Sequence, residues 1–120
     1  VNLYLTPIDI GEVTVIDAAG RITLGANTAA FRELIHELAA AGRTKILLNL
    51  ADVTYIDSSG IGELISAYMT VANRGGTIKL VNLARRVKEL LNLTKLYTVF
   101  EVFEDKSKAV SSFSDRPARP

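Results

Sequence analysis

The chain contains no cysteine, so neither disulfides nor thiolate metal sites hold it together, a composition suited to a reducing compartment. Long apolar runs are also missing, since no stretch approaches the roughly 20 residues of a membrane-spanning helix. No charged-then-apolar leader opens the sequence. Together these absences lead us to expect a cytoplasmic protein with no membrane association. An excess of either charge is absent too. With 14 Lys and Arg against 13 Asp and Glu, the formal net charge is +1, too small to draw the chain to nucleic acid or to an anionic membrane. A single histidine, His36, is the whole supply of imidazole. The acids Glu33, Glu37, Asp52, Asp57 and Glu63 are not joined by a histidine at ligand spacing, so no metal and no cofactor is expected.

What is present is a globular composition, 48% apolar and 22% charged over 120 residues, enough for one compact domain and too little for two. Apolar stretches at Leu3 to Ile8 and Val13 to Ala18, separated by Asp9-Ile10-Gly11-Glu12, predict an antiparallel hairpin. Phe31, Leu34, Ile35 and Leu38 then recur at helical spacing, with Asn27 or Thr28 as the cap and Gly42 as the stop. Lys45 to Leu50 reads as a central strand buried on both faces. Ile61, Leu64, Ile65, Tyr68 and Met69 trace a second helix that ends at Gly75-Gly76. Thr77 to Val81 predicts a strand, Val87, Leu90 and Leu91 a third helix, Tyr97 to Val102 a last strand, and Asp105 the start of a fourth helix. The expected fold is α/β, one domain over residues 1–110. Its mixed, mostly parallel sheet has about five strands with an N-terminal hairpin, and about four helices accompany it. Residues 111–120, rich in Ser, Pro and Arg, are expected to form a flexible tail.

One stretch stands out, Tyr55-Ile56-Asp57-Ser58-Ser59-Gly60-Ile61-Gly62, at the junction of strand and second helix. A helix cap accounts for one hydroxyl or carboxylate but not for three such residues. No capping box forms, because Ile61 and Gly62 stand three places after the two serines. Serine hydrolase chemistry requires a base beside the nucleophile and, in its commonest α/β form, Gly-x-Ser-x-Gly; here Ile56 occupies the first glycine position. His36 is expected to be a partly exposed structural residue of the first helix. The Gly60-x-Gly62 pair starts like a dinucleotide fingerprint but places Ile65 at the third small position, and no P-loop lysine is present. Arg85, Arg86 and Lys88 are expected to be a solvated charge cluster. A phosphate acceptor fits the turn well. A kinase reaches an exposed hydroxyl there without unfolding the chain, and the added charge of about −1.5 to −2 falls at the favourable end of a helix dipole.

From Leu3 to Val110 the sequence resembles the STAS domain family, and within it the bacterial anti-sigma factor antagonists. The resemblance rests on the opening hairpin, on Ile46-Leu47-Leu48-Asn49-Leu50, on Val53 to Gly62 with its Asp-Ser-Ser-Gly-x-Gly core, on the Gly75-Gly76 break, and on Leu90 to Leu96. It implies a binding protein and not an enzyme. Ser58 would be the phosphorylation site, with Ser59 as fallback, and Asp57, Ser59, Gly60, Ile61 and Gly62 would shape the turn and the partner contact. Many antagonists carry an acid in the loop after the second strand where this chain has Thr23, so Thr23 is expected to bear on partner choice. The implied partners are an anti-sigma factor serine/threonine kinase, captured by the unphosphorylated form so that a sigma factor is freed, and a serine phosphatase that resets the switch. The alternative is a constitutive STAS scaffold or transport-complex subunit whose serines only cap a helix.

Overall fold

The computed structural model describes residues 2–114. Its elements follow one another as β1 (Leu3–Ile10), β2 (Val13–Ile22), α1 (Ala26–Ala40), β3 (Lys45–Ile56), α2 (Ser58–Ala72), β4 (Thr77–Val81), α3 (Arg85–Leu93), a 3₁₀ turn (Leu96–Thr98), β5 (Val102–Phe103) and α4 (Lys106–Ser112). The strands form one sheet in the order β1-β2-β3-β4-β5. The first pair is antiparallel and the rest are parallel, as a hairpin followed by strand-helix-strand crossovers requires. Both sheet edges are unusual. β1 contains Pro7, which has no N–H to offer, and β5 is two residues long.

Alternation along the strands divides the core between the two faces of the sheet. Ile16, Ala18 and Ile22 of β2, Ile46, Leu48 and Leu50 of β3, and Ile78 and Leu80 of β4 belong to the larger cluster, with Phe31 and Ile35 of α1, Leu64 and Val71 of α2, and Val87 and Leu91 of α3. Val13, Val15, Leu47 and Val81 face the other way and meet Ala109 of α4, flanked by Phe103 and Phe113. On that face the buried Lys79 secures the last helix. Its Nζ donates to Ser112 Oγ at 2.8 Å, pairs with Glu101 Oε1 at 3.1 Å, and sits 4.6 Å from the centre of the Phe113 ring. A buried ammonium satisfied this fully holds its neighbours in one arrangement.

Four expectations need correction. β3 runs on to Ile56 instead of stopping at Leu50, because register shifts against β2 between Asp17 and Ala19 and between Gly20 and Arg21 break the alternation that marks a strand. Neither Asn27 nor Thr28 caps α1. Gly25 holds the cap position at φ 109° without a side-chain bond, and Thr28 Oγ1 donates back to its carbonyl at 3.1 Å. Tyr97 to Val102 is mostly not a strand. Leu96 and Phe100 are both buried, and the Phe100 N–H donates to the Leu96 carbonyl at 2.9 Å, so a helical turn satisfies both apolar side chains. Ser111 and Ser112, expected in the tail, are the last two residues of α4, and Lys79 Nζ donates to Ser112 Oγ there. Residues 115–120 lie outside the described residues.

Replacing Lys79 by Ala removes the ammonium from its carboxylate, its hydroxyl and its ring. We expect a loss of about 1–3 kcal/mol in urea unfolding, with amide exchange accelerated selectively in α4. Uniform exchange across the sheet and α4 would show that Lys79 is not what holds the helix.

Candidate functional site

β4 pairs with β3 only from Lys45 to Asn49. Beyond that point β3 keeps β2 on one side and meets α3 on the other. The overhanging half carries Tyr55 and Ile56 and passes directly into Asp57, which is extended (φ −91°, ψ −177°) and caps α2. The Asp57 Oδ1 accepts the Gly60 N–H at 2.8 Å, and its Oδ2 accepts the Leu24 N–H at 3.0 Å. Its own N–H donates to the Ile22 carbonyl at 3.3 Å. One carboxylate thus joins the start of α2 to the loop between β2 and α1. The N–H groups of Leu24 and then of Gly60 favour the charged form and hold the Asp57 carboxyl below its ordinary range.

With Asp57 as the cap, the serines are left for other work. Ser58 is exposed at the first position of α2 and its hydroxyl has no partner among the described residues; Ser59 is half-buried. Gly60 is buried because the chain passes so close to β2 that a Cβ would overlap the Ile22 carbonyl oxygen and stand 2.7 Å from Ile56 Cγ2. Gly62 differs from it, since a Cβ there would meet open space. Thr23 lies half-buried next to Leu24, and its Oγ1 accepts from Asn27 Nδ2 at 3.2 Å. All seven residues singled out in the sequence therefore belong to one region, six at the head of α2 and Thr23 in the loop that Asp57 clips to it.

Three contributions were not legible in the motif. Leu24, 76% exposed, stands beside Asp57 as an apolar tip. Arg21 lies over the face of Tyr55, 4.8 Å from the ring centre. Between the end of β3, the head of α2 and α3 is a cavity of about 360 Å³ with an apolar wall from Ile56, Ile61, Val87 and Leu90, and with Ser58 and Arg86 also on its lining. Helical spacing showed Val87 and Leu90 sharing a face; what they face depends on tertiary structure.

His36 is exposed on α1, and no base touches the Ser58 hydroxyl among the described residues. No group of three or more His, Cys, Asp or Glu side chains there is placed to hold a metal. No described helix is long and apolar enough to cross a membrane.

The STAS domain family matches residues 6–109. The chain belongs to that family. A relative, the anti-sigma-B factor antagonist of Bacillus subtilis, is 31% identical over 87 residues, covering 72% of this chain and 78% of the relative. An anti-sigma factor antagonist from Mycobacterium paratuberculosis shares the fold with a TM-score of 0.80 at 20% identity, over 94% of this chain and 95% of that one. The Bacillus cell fate determinant SpoIIAA in its phosphorylated form has a TM-score of 0.72 at 18% identity, over 91% and 98% of the two chains. The α/β arrangement with an N-terminal hairpin is therefore that of a STAS domain.

Two measurements test this geometry. Because the folded Asp57 carboxyl is lowered, its contribution is complete above about pH 4 and fades as pH falls through the folded value. The stability gap between the native chain and Asp57→Asn should accordingly be widest near neutrality and shrink below about pH 4; a gap independent of pH would show that the charge is not what stabilises the turn. The two glycines should also separate. Gly60→Ala is expected to cost about 1–3 kcal/mol through overlap with β2, while Gly62→Ala gains about 0.5–1 kcal/mol by removing a flexible residue from a helix.

Proposed function

We propose that this protein is an anti-sigma factor antagonist working as a phosphorylation-controlled binding switch, with Ser58 as the acceptor. The observation that carries this reading is the Ser58 hydroxyl, exposed and unpartnered at the head of α2 because Asp57 already caps the helix. Family membership and the antagonist relative support it.

In the unphosphorylated state the turn from Asp57 to Gly62, with Thr23 and the exposed Leu24 alongside, captures a serine/threonine kinase that is also an anti-sigma factor. Sequestering that kinase frees its sigma factor. The kinase then transfers the γ-phosphoryl group of ATP to Ser58 Oγ: the serine O–H bond breaks, its proton passes to a base of the kinase, a P–O bond forms and ADP leaves. A charge of about −1.5 to −2 now occupies the contact surface. The N-terminal end of α2 lowers the cost of that charge within the fold, whereas a partner closed over the turn has to desolvate it. Binding is lost and the fold is kept. A serine phosphatase reverses the change, with water supplying the oxygen of the released phosphate and the proton returned to Ser58. In this scheme the chain is substrate and ligand, working in the cytoplasm with no cofactor and no contact with nucleic acid.

The native chain, Ser58→Ala and Ser58→Asp are to be used as baits in lysate of the source organism, and the recovered kinase incubated with ATP. We expect the native and Ala forms to hold a serine/threonine kinase, Asp to weaken capture tenfold or more, about 1.4 kcal/mol, and phosphate to appear on the peptide bearing Ser58. Phosphate on that peptide in Ser58→Ala would transfer the role to Ser59. Equal retention of the same non-kinase proteins by all three baits would replace the switch with a constitutive scaffold.

A further inference from the structure

We propose that Arg86 is a built-in counter-ion for phosphate on Ser58, turning across the cavity between α2 and α3 when the serine is modified. This rests on Ser58 being the acceptor and specifies what the rest of the chain does with the charge. Ser58, the first residue of α2, and Arg86, the second of α3, line the same cavity. The aliphatic wall they share offers no acceptor; of the polar groups that also line the cavity, Thr94 Oγ1 donates to the Leu90 carbonyl at 2.8 Å, Tyr55 lies under Arg21, and the Asp57 carboxylate is held by the Leu24 and Gly60 N–H groups.

The cations of α3 are not equivalent. Arg85 is paired with Glu89 at 3.9 Å and Lys88 with Glu104 at 3.2 Å, while Arg86 is exposed and has no partner among the described residues. Arg21, on the β2 side of Tyr55, is already stacked on that ring. α3 also begins with two arginines, no acid in its first turn and no side-chain cap at Ala84, which places positive charge at the end of the helix dipole that repels it. An anion beside Arg86 corrects that arrangement, and a phosphate suits it in shape as well as sign. Two guanidinium N–H groups donate to two phosphate oxygens in a fork that Lys does not reproduce. The long aliphatic stem of Arg86 then covers the apolar wall, so modification closes the cavity as well as charging its rim.

The test places phosphoserine at position 58 during synthesis, so that it depends on no kinase, and follows the phosphate by ³¹P NMR as pH is varied. Asp57 and Arg86 are the charged residues on the cavity lining and Tyr55 is the other titratable one; Arg21 lies over Tyr55, and Arg85 and Lys88 of α3 are paired with Glu89 and Glu104. With Arg86 intact the second phosphate ionisation should fall roughly half a unit lower than in Arg86→Gln. Arg86→Lys should lie between them and Arg21→Gln should match the native chain. Superimposable curves for native and Arg86→Gln overturn the proposal. So does a shift given equally by Arg21→Gln, which would reflect net charge alone. Because Arg86 is exposed, these variants leave the core untouched, and far-ultraviolet circular dichroism confirms their folding. Binding of the phosphorylated chain to the kinase is read separately: an Arg86-dependent titration with kinase still bound refutes the switch but not the counter-ion. Release of the kinase with no Arg86 dependence does the reverse.

Discussion

Much of this molecule's useful geometry depends on one carboxylate. Asp57 spends one oxygen on the Gly60 N–H and the other on the Leu24 N–H, so the start of α2 and the β2–α1 loop cannot move independently. The close approach of Gly60 to the Ile22 carbonyl is the steric counterpart of that clip. Together they fix where the first residue of α2 emerges and leave its hydroxyl directed to solvent. A shorter polar side chain at position 57 could cap the helix, but a single hydroxyl does not offer two separate oxygens to two elements. The aspartate is therefore better understood as a joint between loops than as a cap alone.

The unequal lengths of neighbouring strands give this joint its surroundings. β3 has twelve residues and β4 five, so the sheet is wide at one end and narrow at the other. α3 fills the space beside the overhang incompletely, and the cavity next to Ser58 is what remains. The register shifts in β3 belong to the same design, since they adjust its pairing with β2 before the chain turns at Asp57.

The sequence revealed those parts whose cause is local. Thr77 to Val81 alternates and is bounded by Gly75-Gly76, and it is the observed strand; Asp105 begins the last helix because its carboxylate accepts the Ser107 N–H. The Asp57 to Gly62 motif was legible for the same reason, as its residues are consecutive. Legibility failed where distant residues decide. Thr54 and Tyr55 are exposed within β3 because the strand is bulged there. Leu96 and Phe100 wind into a turn because the core wants both, Phe100 meeting Tyr68 edge-on with ring centres 5.4 Å apart. Arg86 read as one charge in a cluster, and its place on the cavity lining together with the Arg85–Glu89 pair distinguishes it from Arg85.

The edges of the sheet carry a last consequence. A strand with free donors and acceptors on its flank is a template on which another chain can crystallise into the sheet. Here one flank is interrupted by Pro7 and the other is only Val102 and Phe103 long, so neither offers an uninterrupted run for strand addition. Growth by copying is discouraged at both ends. That leaves the end of the molecule where α2 begins, and where Ser58 is exposed, as a surface on which a reversible contact need not compete with irreversible self-assembly.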